Sequence, residues 1–166
     1  VADNTKSAIA PITVPGVGIT IYPETTTLFS GAIPFNFTAN VTGTINTAVT
    51  WTLEGANAVG SLDTSGTYTA PLTVNGTKTF TVVATSVADT SKKAAATVTV
   101  EPNVYAGGFS CNSSVGNVPG YWKNGTWVAL STQYGWVNTL VISGGDVYAA
   151  GTGGGYWKNG AWVALS

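Results

Sequence analysis

The side chains that could carry chemistry are few and do not cluster. Histidine, arginine and methionine are absent, so the commonest general base, the commonest metal ligand and the bidentate anion clamp are missing together. The acidic residues Glu54, Asp63, Asp89, Glu101 and Asp146 stand far apart, with no D-x-D-x-D-G run and no close pair. That spacing gives neither a calcium loop nor the neighbouring carboxylates of a glycosidase. Asp63 before "TSG" and Asp146 after "GG" read instead as Asx-type turn residues. A nucleophilic lysine needs burial beside a second functional group, whereas Lys123 and Lys158 occupy matched hairpin tips, where they solubilise. The "GTGGG" run at Gly151–Gly155 has no helix pattern or GK[ST] after it, so it is an inter-strand connection and not a phosphate loop. The single cysteine, Cys111, cannot close an intrachain disulfide and reads as a small buried hydrophobe in preference to an intermolecular bridge or reactive thiol. The expectation is a protein that is not an enzyme, with no catalytic residue, cofactor or metal.

What the chain does repeat is aromatic. "GYWKNGTWVALS" at Gly120–Ser131 returns as "GYWKNGAWVALS" at Gly155–Ser166, with Thr126 replaced by Ala161. Asn124-Gly125 and Asn159-Gly160, flanked by alternating apolar residues, are the strongest short signal for two-residue type I′ hairpins, because both central positions need positive φ. Such a turn sets Trp122 opposite Trp127 and Tyr121 opposite Val128. Trp157, Trp162, Tyr156 and Val163 repeat the arrangement. Each hairpin is therefore apolar on both faces, and something must cover the second face.

The elements that must hold these hairpins are strands. "VGITIYP", "PFNFTANV" and "AVTWTLE" keep Ile19 and Ile21, then Phe35, Phe37 and Ala39, then Val49, Trp51 and Leu53 in phase at period two. "GTYTAP", "KTFTVVATSV" and "KAAATVTV" add strands around Tyr68, Phe80, Val82, Ala84, Val98 and Val100. About seven short, turn-separated strands predict a β-sandwich. Residues 1–16, with two prolines, are expected to be extended, and residues 17–101 to form the sandwich. "EPN" at Glu101–Asn103 is the expected junction. Residues 102–166 are expected to hold two repeats, about 104–131 and 136–166, each led by "VYAGG" or "VYAAG". A repeat near 40 residues with four strands per unit is propeller-blade spacing. The first copy lacks an outer strand and has a longer loop, "FSCNSSVGNVPG".

The runs "FTANVTGTINTAVTWTLEG", "GSLDTSGTYTAP" and "TFTVVATSVADTSKKAAATVTV" resemble the bacterial immunoglobulin-like domains of exported proteins and adhesins. That resemblance implies an immunoglobulin-like β-sandwich with Trp51 in the place of the buried core tryptophan, and no active site. "DVYAAG" and "YWKNG" resemble β-propeller-type repeats of secreted and surface bacterial proteins, which implies propeller-blade-like antiparallel sheets. The whole is thus expected to be all-β. Propellers close with 4–8 blades, and two cannot cover their own outer faces.

Charged residues make up only 8% of the chain and its net charge is −1, so nothing draws it to nucleic acid or an anionic membrane. No apolar run reaches the ~20 residues of a membrane span, so no membrane insertion is expected. A start at Val1 is read as the mature end of an exported protein, extracellular or at the cell surface, with its signal peptide removed. The expected role is a homo-oligomeric or polymeric structural subunit of a surface filament. It would associate through Trp122, Trp127, Trp157, Trp162, Tyr121 and Tyr156, or by lending Ile9, Ile12 and Val14 as a donor strand. The alternative from another class is an adhesin or carbohydrate-binding module whose tryptophans stack on a glycan ligand. A third reading is a piece of a longer adhesin. Of five N-x-S/T triplets in this Thr-rich chain, Asn75 and Asn112 lie in expected loops and are the candidates for glycosylation.

Overall fold

The computed structural model describes residues 15–165, so the expected donor strand with Ile9, Ile12 and Val14 lies outside the described residues. The described residues form strands and turns, with no helix and hence none long and apolar enough to cross a membrane. In chain order the strands are β1 (Gly18–Tyr22), β2 (Thr25–Phe29), β3 (Phe35–Asn36), β4 (Thr38–Thr42), β5 (Val49–Glu54), β6 (Ser61–Leu62), β7 (Thr67–Thr69) and β8 (Lys78–Ser86). They continue as β9 (Lys93–Glu101), β10 (Tyr105–Asn112), β11 (Gly116–Lys123), β12 (Thr126–Ala129), β13 (Val137–Ser143), β14 (Asp146–Gly151), β15 (Gly155–Lys158) and β16 (Ala161–Ala164).

These strands form several sheets, none closed into a barrel: β2-β9-β8-β5, β1-β4, β3-β7-β6, β10-β11-β12 and β13-β14-β15-β16. Pairing is antiparallel except between β2 and β9. Alternation decides what is buried. Phe80, Val82 and Ala84 of β8 lie on one face with Ala96 and Val98 of β9, and all are buried. Phe37, Tyr68, Ile21, Ala70 and Val100 complete the cluster, with the Tyr68 and Phe80 rings 5.5 Å apart. Phe37 stands where the chain leaves the sheet of β3 for that of β4, so one buried ring anchors a strand that changes sheets. Trp51 packs against the cluster but remains partly exposed, less enclosed than the resemblance implied, because its strand β5 is the edge of its sheet.

Tyr68 is fully buried and its hydroxyl donates to the Val59 carbonyl at 2.8 Å. Burial pushes its pKa up to about 12. An unfolded tyrosine ionises near 10, so stability is whole below that pH and falls as pH rises toward 12, where the unfolded chain binds fewer protons. Tyr68→Phe is expected to cost about 1 kcal/mol at neutral pH through the lost hydrogen bond. It should also flatten the alkaline fall seen in urea titrations between these pH values. An unchanged alkaline profile would refute this assignment; what remains of the fall belongs to Tyr121, which burial and then neighbouring Tyr105 also push up.

A second cluster, Tyr121, Leu130, Val137, Val147, Ala149 and Trp157, lies among the last seven strands. The "FSCNSSVGNVPG" stretch is not the long loop its composition suggests. It is a ribbon in which Phe109 pairs with Pro119 and Cys111 with Asn117, closed by a short turn before Gly116. Its backbone groups are satisfied by the β10-β11 ladder, which outweighs the loop preference of Ser, Asn and Gly.

Candidate self-association surface

Both hairpins have the expected register: Trp122 opposite Trp127 and Tyr121 opposite Val128, then Trp157 opposite Trp162 and Tyr156 opposite Val163. Asn124 and Asn159 each have φ 49°, and Gly125 and Gly160 follow at 81° and 86°, the type I′ conformation. The copies agree in ring geometry. The tryptophan pairs have centroids 4.4 and 4.7 Å apart, and Tyr105–Tyr121 and Tyr148–Tyr156 are each 6.1 Å apart.

Each sheet thus has a tryptophan face and a tyrosine face. In the three-stranded sheet the tryptophan face holds Ala106, Trp122 and Trp127, and the tyrosine face Tyr105, Gly107, Tyr121 and Val128. In the four-stranded sheet Leu140, Ala149, Trp157 and Trp162 share one face, and Tyr148, Ala150, Tyr156 and Val163 the other. The two sheets meet unlike face to unlike face. Tyr105, Tyr121 and Val128 pack with Leu140, Ala149 and Trp157. Gly107 is needed at this contact, since a Cβ there would come within 2.8 Å of Val137 Cγ1.

Identical side chains consequently meet different surroundings. Trp157 is 6% exposed and Trp122 37%; Tyr121 is 7% exposed, while Tyr156 is only partly buried. Trp162 is exposed and Trp127 partly buried. Indoles lie flat because glycines sit beneath them. Trp122 covers Gly108, and Trp127 and Trp162 cover Gly120 and Gly155, where any Cβ would collide with ring and backbone. A tryptophan pair adds about 0.5–1.5 kcal/mol beyond its area, which steadies each hairpin without covering its outer side.

Sequence reasoning missed a second task of the turn asparagines. Asn124 Oδ1 accepts from the Val104 N–H at 2.8 Å, and Asn124 N–H donates to the Val104 carbonyl at 2.9 Å. Asn159 makes the same two bonds to Val147, at 2.8 and 2.9 Å. Each asparagine therefore clips the hairpin to the start of the preceding strand. Its amide nitrogen donates further, from Asn124 to Asn103 Oδ1 at 2.8 Å and from Asn159 to Asp146 Oδ1 at 2.7 Å. The signal was present, because Asn103-Val104-Tyr105 aligns with Asp146-Val147-Tyr148 in the repeat. Asn103 also donates to the Ser30 carbonyl at 2.7 Å and to Ser30 Oγ at 3.0 Å, tying the first cluster's strands to the second's.

Two sequence expectations change. Asp146 opens β14 and is not an Asx turn: it binds Asn159 and pairs with Lys158 Nζ at 2.9 Å, contacts that hold its carboxyl below the usual range. Lys158 is accordingly paired, and its pKa is raised by Asp146. Asp63 is the Asx turn expected, accepting from Ser65 and Thr67 N–H groups at 2.9 Å. Cys111 is exposed, not buried, because it lies on the edge strand β10 beside the turn that closes the ribbon. Asn75 and Asn112 are both exposed, and Asn112 Oδ1 accepts from Ser114 and Val115 N–H groups. Among the described residues no three His, Cys, Asp or Glu side chains come together as a metal site.

The chain matches no model of a known protein family, and no curated protein matches it.

Proposed function

We propose that this protein is a non-catalytic structural subunit, extracellular or at the cell surface, that assembles with itself through the aromatic sheets of its second half. In this reading residues 17–101 are an immunoglobulin-like sandwich and residues 102–166 are two propeller-type blades. The observation that carries it is the unequal cover of one repeated phrase: Trp157 is enclosed, and Trp122 in the same setting is not. An uncovered apolar face on a chain with so few charges favours association over solvation.

Sedimentation velocity of the purified chain over a concentration series tests the reading, with negative-stain imaging of the heaviest fractions. Growth of mass with concentration and regular particles are expected. A single monomeric species throughout would overturn it.

One observation favours a carbohydrate-binding role as the second reading. A cavity of about 300 Å³ is lined by Tyr134, Trp162, Gln133 and Thr152, aromatic walls beside polar groups of the kind that hold a sugar ring. Glycan-array binding by a monodisperse monomer would favour it.

A further inference from the structure

We infer that the partner in this assembly is a second copy docked head to tail, its tyrosine face of Tyr148, Tyr156 and Val163 laid on the tryptophan face of Ala106, Trp122 and Trp127. The inference rests on the self-association reading above and adds to it the faces used and their polarity.

The template lies inside the molecule. The apolar cluster shared by the two repeats joins a tyrosine face to a tryptophan face. Because each repeat has one of each, that contact leaves over one tyrosine face, on the four-stranded sheet, and one tryptophan face, on the three-stranded sheet. Three leftover residues, Ala106, Trp122 and Tyr156, have the enclosed counterparts Ala149, Trp157 and Tyr121, whereas Trp127 is partly buried and its counterpart Trp162 exposed. Ala149 is 1% exposed where its counterpart Ala106 is open, and Trp157 is covered where Trp122 is not.

The places where the repeats differ also match. On the used tyrosine face, Gly107 lies against β13, where a methyl group would strike Val137. The same position on the free tyrosine face is Ala150. The free tryptophan face has no strand in the place of β13, since β10 is the edge of its sheet. The methyl group thus stands on the one tyrosine face whose proposed target lacks the strand it would hit. Charge agrees as well, because Lys158 on the free tyrosine face is neutralised by Asp146 beside it. Unlike faces that join two copies leave the same pair of faces free at the ends, so the contact propagates.

Two face-blocking variants test this. Ala106→Lys puts a charge in the tryptophan face, and Tyr156→Lys puts one in the tyrosine face. Each alone should weaken association by about a hundredfold or more. Mixed in equal amounts, they should form dimers and nothing larger, since each keeps the face the other lacks. Near-UV circular dichroism of the tryptophan pairs checks folding, and Trp122→Lys and Ala150→Lys are the replacement blocks should either variant lose that signal. Association of a blocked variant at the wild-type level, or a mixture that stays monomeric while wild type associates, would overturn the head-to-tail contact and leave self-association standing. A monomeric wild type would remove both.

Discussion

Trp157→Ala is expected to lower stability by about 3–5 kcal/mol, whereas Trp122→Ala, the same residue in the same phrase, should cost less than half as much. Trp157 is 6% exposed and packs between its sheet and the facing one, so its removal leaves a void bounded by Tyr121, Ala149 and Leu130. That void cannot close, because the strands around it are held in ladders on both sides of β15. Trp122 is 37% exposed and lies over Gly108 and beside Trp127, so its loss removes contact on one side and opens no enclosed space. Urea denaturation at a concentration at which sedimentation shows a monomer measures both. Equal costs for the two substitutions would contradict the unequal cover on which the functional reading depends.

Asn159→Ala should cost about 2–3 kcal/mol through two separable effects. Alanine is poorly suited to φ 49°, a conformation asparagine tolerates, which accounts for about 1 kcal/mol. The rest comes from the lost side-chain amide: the buried Val147 N–H loses its Oδ1 acceptor, and Asp146 Oδ1 loses its amide donor. Asn159→Gly separates the effects, since glycine accepts the backbone angle and restores only the first. The glycine variant should therefore lie about 1 kcal/mol above the alanine variant and still show faster amide exchange at Val147. Wild-type exchange at Val147 in the glycine variant would show that the clip contributes nothing.

Much of the β architecture could be read locally. The two Asn-Gly turns follow from the φ requirement of a two-residue hairpin, and Phe80, Val82, Val98 and Tyr68 are buried as period-two alternation demands. β2 escaped because "TTTLF" carries no marked alternation, and its parallel partner β9 lies some 70 residues on, a pairing no local pattern encodes. The outer part of the β10-β11 ribbon, from Phe109 to Gly120, was hidden for the opposite reason: its Gly, Ser, Asn and Pro content signals a loop, while its ladder is imposed by pairing. For the candidate surface, the residue types and register were legible in Trp122, Trp127, Trp157 and Trp162. Which indole is covered was not, because two nearly identical phrases differ only in what stacks on them. The clip by Asn124 and Asn159 was obscured by the turn, which already supplies a sufficient reason for asparagine.

The Asn103 bonds also bear on how a pull along the chain would be shared. A pull along the chain would pass from β9 to β10 through Pro102, Asn103 and Val104, which lie outside both strands. The Asn103 amide diverts that tension sideways, to Ser30 through its nitrogen and to the Asn124 turn through its oxygen, so three segments share a force one would otherwise bear. An aspartate, as at the matching position 146, has no N–H to give Ser30, and that sideways tie would be lost.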